Sequence, residues 1–545
     1  MSNDQGAGVA AAASAEEQSK PFNTTASLTR LHTWFGLTAG WLLFVIFFTG
    51  SLTVFAPEIT LWMQPEVSVP SHSELGATPR AVQTAEAFWA EKGQSDARAM
   101  VRFPDARNPD LRISFGGRGD IKTYAMDPLT GEQYEPRSTM GAQFFRALHY
   151  RLNIDRRSNE IGFWIVGLAT AMMLAVLISG VIIHKRIFRE LFVFRPRSAY
   201  PRAWLDGHTA LGVFALPFLF VIGFTGLAYF YFLYVPAGVS ALFNGDQAAF
   251  RQAMSQSAQG GGGGKREASP GGMLPLSAFV EKAEPAMPRS EMASIRITPS
   301  KGGASVVEVR GSRDVGIVRD AGRVAFDGAS GDIVQPLAAP LPAERLQSFV
   351  VGLHLAWFGG YAMHWLYFVL GLMGAGTMAT GLVMFTVKRS ARIDRASRAD
   401  RLWWLAVGRI NVAVIAGLAL ASISYLWANR VLAVGLEERA MFEIRVFFVV
   451  WVAALLHAYL RGAAMAWREQ LGLAALMACS LPVLNWMTTR QWAGTYAADG
   501  DWQRFSVELV VVAMGVGAAA VAIKLGNISA AAENTFQRRN VEALT

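Results

Sequence analysis

The stretch LHTWFGLTAGWLLFVIFFTG, residues 31–50, is written twice in this chain. With His32 set on His208, 176 positions later, the second copy reads HTALGVFALPFLFVIGFTG and is identical at eleven of nineteen positions. Each copy is an apolar run long enough to cross a bilayer, and each opens on a histidine. A histidine at the mouth of a spanning helix is not what a purely structural helix needs.

Working outward, further apolar runs fall at about 161–183, 210–235, 365–387, 410–427, 445–465, 471–488 and 505–523, which with the first predicts eight membrane helices. With 52% hydrophobic and only 17% charged residues among 545, the composition excludes a soluble enzyme. The net charge of +9 does not argue for nucleic acid, because the basic residues cluster in short loops beside the apolar runs. Lys185, Arg186, Arg189, Arg195, Arg197 and Arg202 crowd one loop, and Lys388, Arg389, Arg392, Arg395, Arg398 and Arg401 the other. The positive-inside rule makes both loops cytoplasmic, and the two termini with them. The single cysteine, Cys479, excludes intrachain disulfides, thiolate metal clusters and covalent c-type haem attachment, and reads as a small packed side chain.

Two long segments then lie on the outer side, 57–160 and 236–364, and their patterns agree. The first predicts a helix over Pro79–Glu91, strands near 99–103, 111–115 and 122–126, and the turn Asp127-Pro-Leu-Thr-Gly-Glu132. The second predicts a helix over Leu276–Glu284, strands near 293–297, 305–310 and 323–326, and Asp327-Gly-Ala-Ser-Gly-Asp332. An Asp that caps the turn and a Gly with positive φ explain both hexapeptides. After each comes a Leu-His pair (His149, His354), then a spanning helix with a late Ser179-Gly180 or Thr380-Gly381 before Lys-Arg. The chain therefore divides into a disordered cytoplasmic tail (1–30), a helix–outer domain–helix unit (31–189), a basic cytoplasmic loop (190–207), a second such unit (208–389), four appended helices (405–525) and a cytoplasmic tail (526–545). Copies running in one direction imply a pseudo-twofold axis along the membrane normal. The glycine run 259–265 reads as a linker: it has neither the spacing nor the Ser/Thr of a phosphate loop.

Of eight histidines, four form symmetry-related pairs: His32 with His208 at the cytoplasmic border, and His149 with His354 at the outer border. Two neutral imidazoles facing each other with no carboxylate or thiolate nearby suit a metal complex that brings its own equatorial ligands, namely haem held by two axial histidines. Thr49-Gly50 and Thr225-Gly226 stand at the depth of the outer pair, Ser179-Gly180 and Thr380-Gly381 at that of the inner pair. Their glycines admit either a macrocycle or close helix packing. His184 is an alternative ligand at the inner site and His364 at the outer one; His72 and His457 read as incidental. Glu508 and Arg409 read as snorkelling side chains.

Arg30-Leu-His32 before the first helix, Thr49-Gly50 at its end, Asp127-Pro-Leu-Thr-Gly-Glu132 and Leu148-His149 together resemble the PepSY-associated transmembrane family, over roughly residues 28–390. That family includes inner-membrane ferric-siderophore reductases. The resemblance implies an α-helical membrane protein of the bacterial inner membrane with two small α+β PepSY-like periplasmic domains from a tandem duplication. It further implies haem b in the membrane, two groups held by His32, His208, His149 and His354, and one-electron reduction of periplasmic ferric siderophore with release of iron(II). Quinol or a cytoplasmic reductase would supply the electron, membrane lipid is the only other expected partner, and no nucleic acid is. The competing expectations are a non-enzymatic anchored module that restrains a periplasmic peptidase, and an iron or siderophore transporter.

Overall fold

In hydrocarbon every backbone N–H and C=O must find its partner within its own segment, so the apolar runs fold as helices. A computed structural model describes residues 24–542 except 69–74, 93–97, 118–119, 155–159, 185–199, 231–243, 245, 247–271, 301–302, 313–316, 318–321, 336–341 and 391. The start of the amino-terminal tail, His72, the glycine run and most of the first basic loop lie outside the described residues.

Among the described residues eight helices are long and apolar enough to span a membrane. They are α1 (Thr24–Thr53), α5 (Ile161–Ile183), α6 (Tyr200–Tyr229), α9 (Gly360–Ser390), α10 (Arg398–Val431), α11 (Arg439–Arg461), α12 (Ala463–Thr489) and α14 (Trp502–Glu542). Two boundaries differ from expectation. α1 begins at Thr24, inside the expected tail, and α14 continues to Glu542, through most of the other tail. Four short helices were not legible as separate elements: α2 (Ala56–Met63), α4 (Gln143–Arg151), α8 (Pro342–Leu355) and α13 (Ala493–Ala498).

The duplicated helices form one bundle, in which α1 packs on α5 and α9 and α6 packs on α9 and α5. The appended helices form a second group, with α10 against α11 and α12, and α12 against α14. α10 joins the groups by packing on α9 and α1. Asn411 clamps that seam, since its Oδ1 accepts from the Trp41 indole at 2.7 Å and its amide donates to the Leu382 carbonyl at 3.0 Å. Cys479, expected as a packed side chain, is instead exposed on α12, where lipid would supply the apolar surroundings that a core gives elsewhere.

The two segments expected as separate small domains build one sheet. Its order is β4-β3-β2-β1-β5-β6-β7-β8, with β1 (Ala99–Arg102), β2 (Leu111–Gly117), β3 (Asp120–Met126), β4 (Gln133–Tyr134), β5 (Met292–Ser300), β6 (Gly303–Gly311), β7 (Arg323–Asp327) and β8 (Ile333–Gln335). The halves join edge to edge where β1 pairs antiparallel with β5, Val101 opposite Ile295. Joining there removes two unpaired edges. Helices α3 (Pro79–Lys92) and α7 (Leu276–Ala283) cover one face, closing a core around Val101, Ile113, Phe279, Ile295, Val309 and Phe326.

The matching turns are built alike. Asp127 Oδ1 accepts from the N–H groups of Leu129 and Thr130, and Asp327 Oδ1 from those of Ala329 and Ser330. Gly131 and Gly331 follow at φ +75° and +68°, a backbone region that glycine enters without steric cost.

Candidate functional site

The bundle holds two facing histidine pairs. Near the end of the bundle away from the sheet, the rings of His32 (α1) and His208 (α6) have centroids 6.4 Å apart with planes at 84°. On the sheet side, His149 (α4) and His354 (α8) stand 6.2 Å apart at 28°. His32 and Gly50, which touches His149, are 18 residues apart on α1, so the levels differ by about 27 Å at ~1.5 Å per residue.

All four imidazoles are seated in one manner. His32 Nδ1 lies 3.0 Å from the Val176 carbonyl, His208 Nδ1 3.0 Å from that of Thr377, and His149 Nδ1 2.8 Å from that of Ile46. His354 Nδ1 is 3.1 Å from the Thr225 hydroxyl and faces the Ile222 carbonyl. A carbonyl only accepts, so Nδ1 carries the proton and Nε2 keeps its lone pair. Each carbonyl belongs to the residue four before a glycine: Gly180, Gly381, Gly50 and Gly226. A Cβ on those glycines would meet the Cε1 of His32, His208 and His354 at 3.1 Å, and that of His149 at 2.7 Å. A helical side chain covers the turn preceding its own Cα, so glycine uncovers the carbonyl and leaves room for the ring. The preceding hydroxyl is part of the seat, Ser179 and Thr380 each lying 3.3 Å from Nδ1. The glycine of each Ser/Thr-Gly pair therefore also makes room for an imidazole.

Burial pushes the His149 imidazole below its ordinary value, and burial with the neighbouring His149 pushes His354 down to about 3. Both are therefore neutral at neutral pH. In every pair Nε2 forms no hydrogen bond with the described residues. A metal about 2 Å from each ligating nitrogen, with roughly 1 Å more to each ring centre, calls for centroids about 6 Å apart, and both pairs have that spacing. The Nδ1–H···O=C bond is the support that metal-ligating histidines use to fix tautomer and orientation. No group of three or more His, Cys, Asp or Glu side chains gathers at either pair among the described residues. A metal there would take its remaining ligands from its own complex, so the residues fit a bis-imidazole haem.

The other histidines fall elsewhere. His184 ends α5, its N–H bonded to the Gly180 carbonyl at 3.1 Å, close enough to bear electrostatically on His32 and His208 but not the ring that faces either. His364 is buried in a polar cluster beyond the outer pair. Its Nε2 is 3.2 Å from Arg107, which grips Glu58 through two bonds of 2.7 Å, and Tyr361 donates to Glu58 at 3.1 Å. His457 lies 3.0 Å from Glu469.

This Glu58–Arg107 pair went unread in the sequence, as did a larger buried network between α2 and the appended helices. Arg430 stacks on the Trp62 ring at 3.7 Å and donates to Asn485, whose amide donates to Glu508 at 2.7 Å. Arg439 bonds Glu443, which also accepts from Asn429 and Thr139. Glu508 is 1% exposed, so it does not snorkel: the network holds it inside. Arg409 lies over the Tyr459 ring at 5.1 Å. Tyr425 of α10 donates to the Gly141 carbonyl at 3.0 Å and packs on Phe144 of α4. The extension thus buttresses the helix that carries His149.

No curated protein matches the chain. Residues 29–388 match the PepSY-associated TM region family, a span that contains the duplicated helices but for the first residues of α1 and the last of α9, the whole sheet and all four paired histidines. With eight helices able to span a membrane and that match over well over half its length, the chain is a multi-pass membrane protein that belongs to the PepSY-associated TM region family.

Proposed function

We propose that the protein is a haem-containing oxidoreductase of the bacterial inner membrane that passes single electrons across the bilayer to a ferric siderophore. The observation that supports this most directly is the pair of imidazoles about 6 Å apart at each of two levels, with every Nδ1 hydrogen-bonded. Haem b bound at each level would supply reversible one-electron transfer.

The chain's own contribution is positional. The carbonyls of Ile46, Val176 and Thr377, with the Thr225 hydroxyl, fix four tautomers and aim four lone pairs. The glycines let the rings sit against the helices. Two levels about 27 Å apart along α1 put one histidine pair near each face of roughly 30 Å of hydrocarbon, so an electron would enter at one level and leave at the other. His32 and His208 would take the electron on the side of the basic loops, from quinol or a cytoplasmic reductase, and His149 and His354 would deliver it beneath the sheet. The basic loops argue for cytoplasmic termini, which puts the two PepSY-like halves of the sheet in the periplasm. Iron(II) leaves siderophores readily, so delivery of one electron suffices for release.

The test is the visible spectrum of the purified protein. A Soret band that shifts on dithionite, with two haems per chain, is the expected result. A colourless protein would refute it and favour a non-enzymatic module whose sheet binds a periplasmic partner.

A further inference from the structure

One face of the sheet is apolar and covered by α3 and α7; the other is lined with arginine. Pairing register places Arg112 opposite Arg102, Arg102 opposite Ser294, Ser294 opposite Arg310, and Arg310 opposite Arg323. Directly opposed residues share a face, so four arginines form one row across five strands. The adjacent row brings Arg296 opposite Glu308. Like charges directly opposed in a sheet are destabilising, and two carboxylates offset only part of the cost. Asp110 takes Arg102 and Arg112, and Glu308 takes Arg310 and Arg323. Five arginines against those two acids, with Asp105 also bearing on Arg102, leave the face net positive.

The face is also incompletely satisfied within the chain. The Nε atoms of Arg102 and Arg310 are buried with no hydrogen-bond partner. Arg296 is only partly open to solvent and is in no salt bridge among the described residues. Burial, Arg310 and Arg98 pull its pKa below the guanidinium range while Glu308 opposes them, a balance that a bound anion would relieve. The face is also fixed to the membrane domain: Arg112 donates to Gln64 just beyond α2, and the loop after β1 sends Arg107 to Glu58.

We infer that this arginine face is a binding site for a small, multiply anionic ferric chelate of the carboxylate class, held between the sheet and the membrane. The inference rests on the oxidoreductase reading and names the substrate class for it. Planar guanidinium forks match carboxylates two bonds at a time, and several spread over two rows suit a chelate with several carboxylates better than a cationic or neutral hydroxamate complex.

The experiment is a binding titration that needs no electron transfer. The full-length protein in phosphatidylcholine nanodiscs is titrated with ferric citrate and, separately, with ferrioxamine B. Ferric citrate should bind at least about tenfold more tightly, and added NaCl should weaken it steeply. The double variant Arg296→Gln, Arg323→Gln leaves Glu308 its Arg310 partner, and its unfolding temperature checks the fold. It should lose roughly tenfold in affinity for citrate and nothing for ferrioxamine B. Equal affinity for the two chelates, an unchanged double variant, or loss of citrate binding on adding phosphatidylglycerol to the nanodiscs would each overturn the inference. A colourless protein that binds citrate through these arginines would refute the oxidoreductase reading alone; a protein with two haems and no citrate preference would refute the anion site alone.

Discussion

The Cε1 and Nδ1 atoms of His149 lie 2.7 Å from the point where a Cβ on Gly50 would stand. The imidazole occupies the space of an absent side chain, and the bond from its Nδ1 to Ile46 depends on that vacancy.

Gly50→Ala should therefore act on the outer pair alone. The added methyl drives the ring off the Ile46 carbonyl, and haem content by pyridine haemochromagen should fall from two per chain toward one. Gly381→Ala, whose Cβ would meet His208 at 3.1 Å rather than 2.7 Å, should disturb the inner pair less. Equal and complete retention after both changes would refute the seat.

His149→Ala and His208→Ala should each remove one haem, and the double variant both. His184→Ala and His364→Ala should leave two, because neither ring faces a partner across a pair. Redox-difference spectra of the five proteins decide this; loss of a haem in His184→Ala would reassign the inner ligand.

Arg439 and Glu443 are both fully buried and ion-paired. Arg439→Met leaves the carboxylate uncompensated and should cost about 3–5 kcal/mol, whereas Arg439→Met with Glu443→Leu should cost less than the single change. Thermal unfolding in detergent reads the order of the two.

In the haem-free protein, acid should destabilise the outer site. An unfolded imidazole binds its proton near pH 6.5, but folded His354 does so only at about 3 and folded His149 below 6.5. Above about pH 6.5 both states are neutral and stability is flat. As pH falls from there the unfolded state binds more protons, so stability drops by up to about 1.4 kcal/mol per pH unit for each histidine. Stability measured from pH 8 down to 4 should be constant and then decline; a rise toward acid would contradict the burial of these rings.

The sequence made the duplication, the spans, both turns and all four paired histidines legible, because each is a local pattern repeated at matching places. His32 and His208 could be paired on paper since they open near-identical helices. The seat could not: its donor and acceptor lie 144 residues apart for His32 and Val176, and nothing local tells a glycine that admits a ring from one that admits a helix. Glu508 was misread for a similar reason, as its partners Trp62 and Asn485 come from distant segments.

What the sequence determined by itself was the inventory: eight apolar spans, two copies of one unit, and in each copy one histidine opening the first helix and one preceding the second. Hydropathy and repetition are properties of short stretches, and hydrocarbon leaves an apolar run little choice but a helix. Only the tertiary structure decided that the two outer segments share one sheet through β1 and β5, that the face left uncovered by α3 and α7 gathers five arginines, and that four helical carbonyls hold four imidazoles in facing pairs. Those outcomes depend on register and on which helix faces meet, relations between distant residues that no stretch of the chain contains alone.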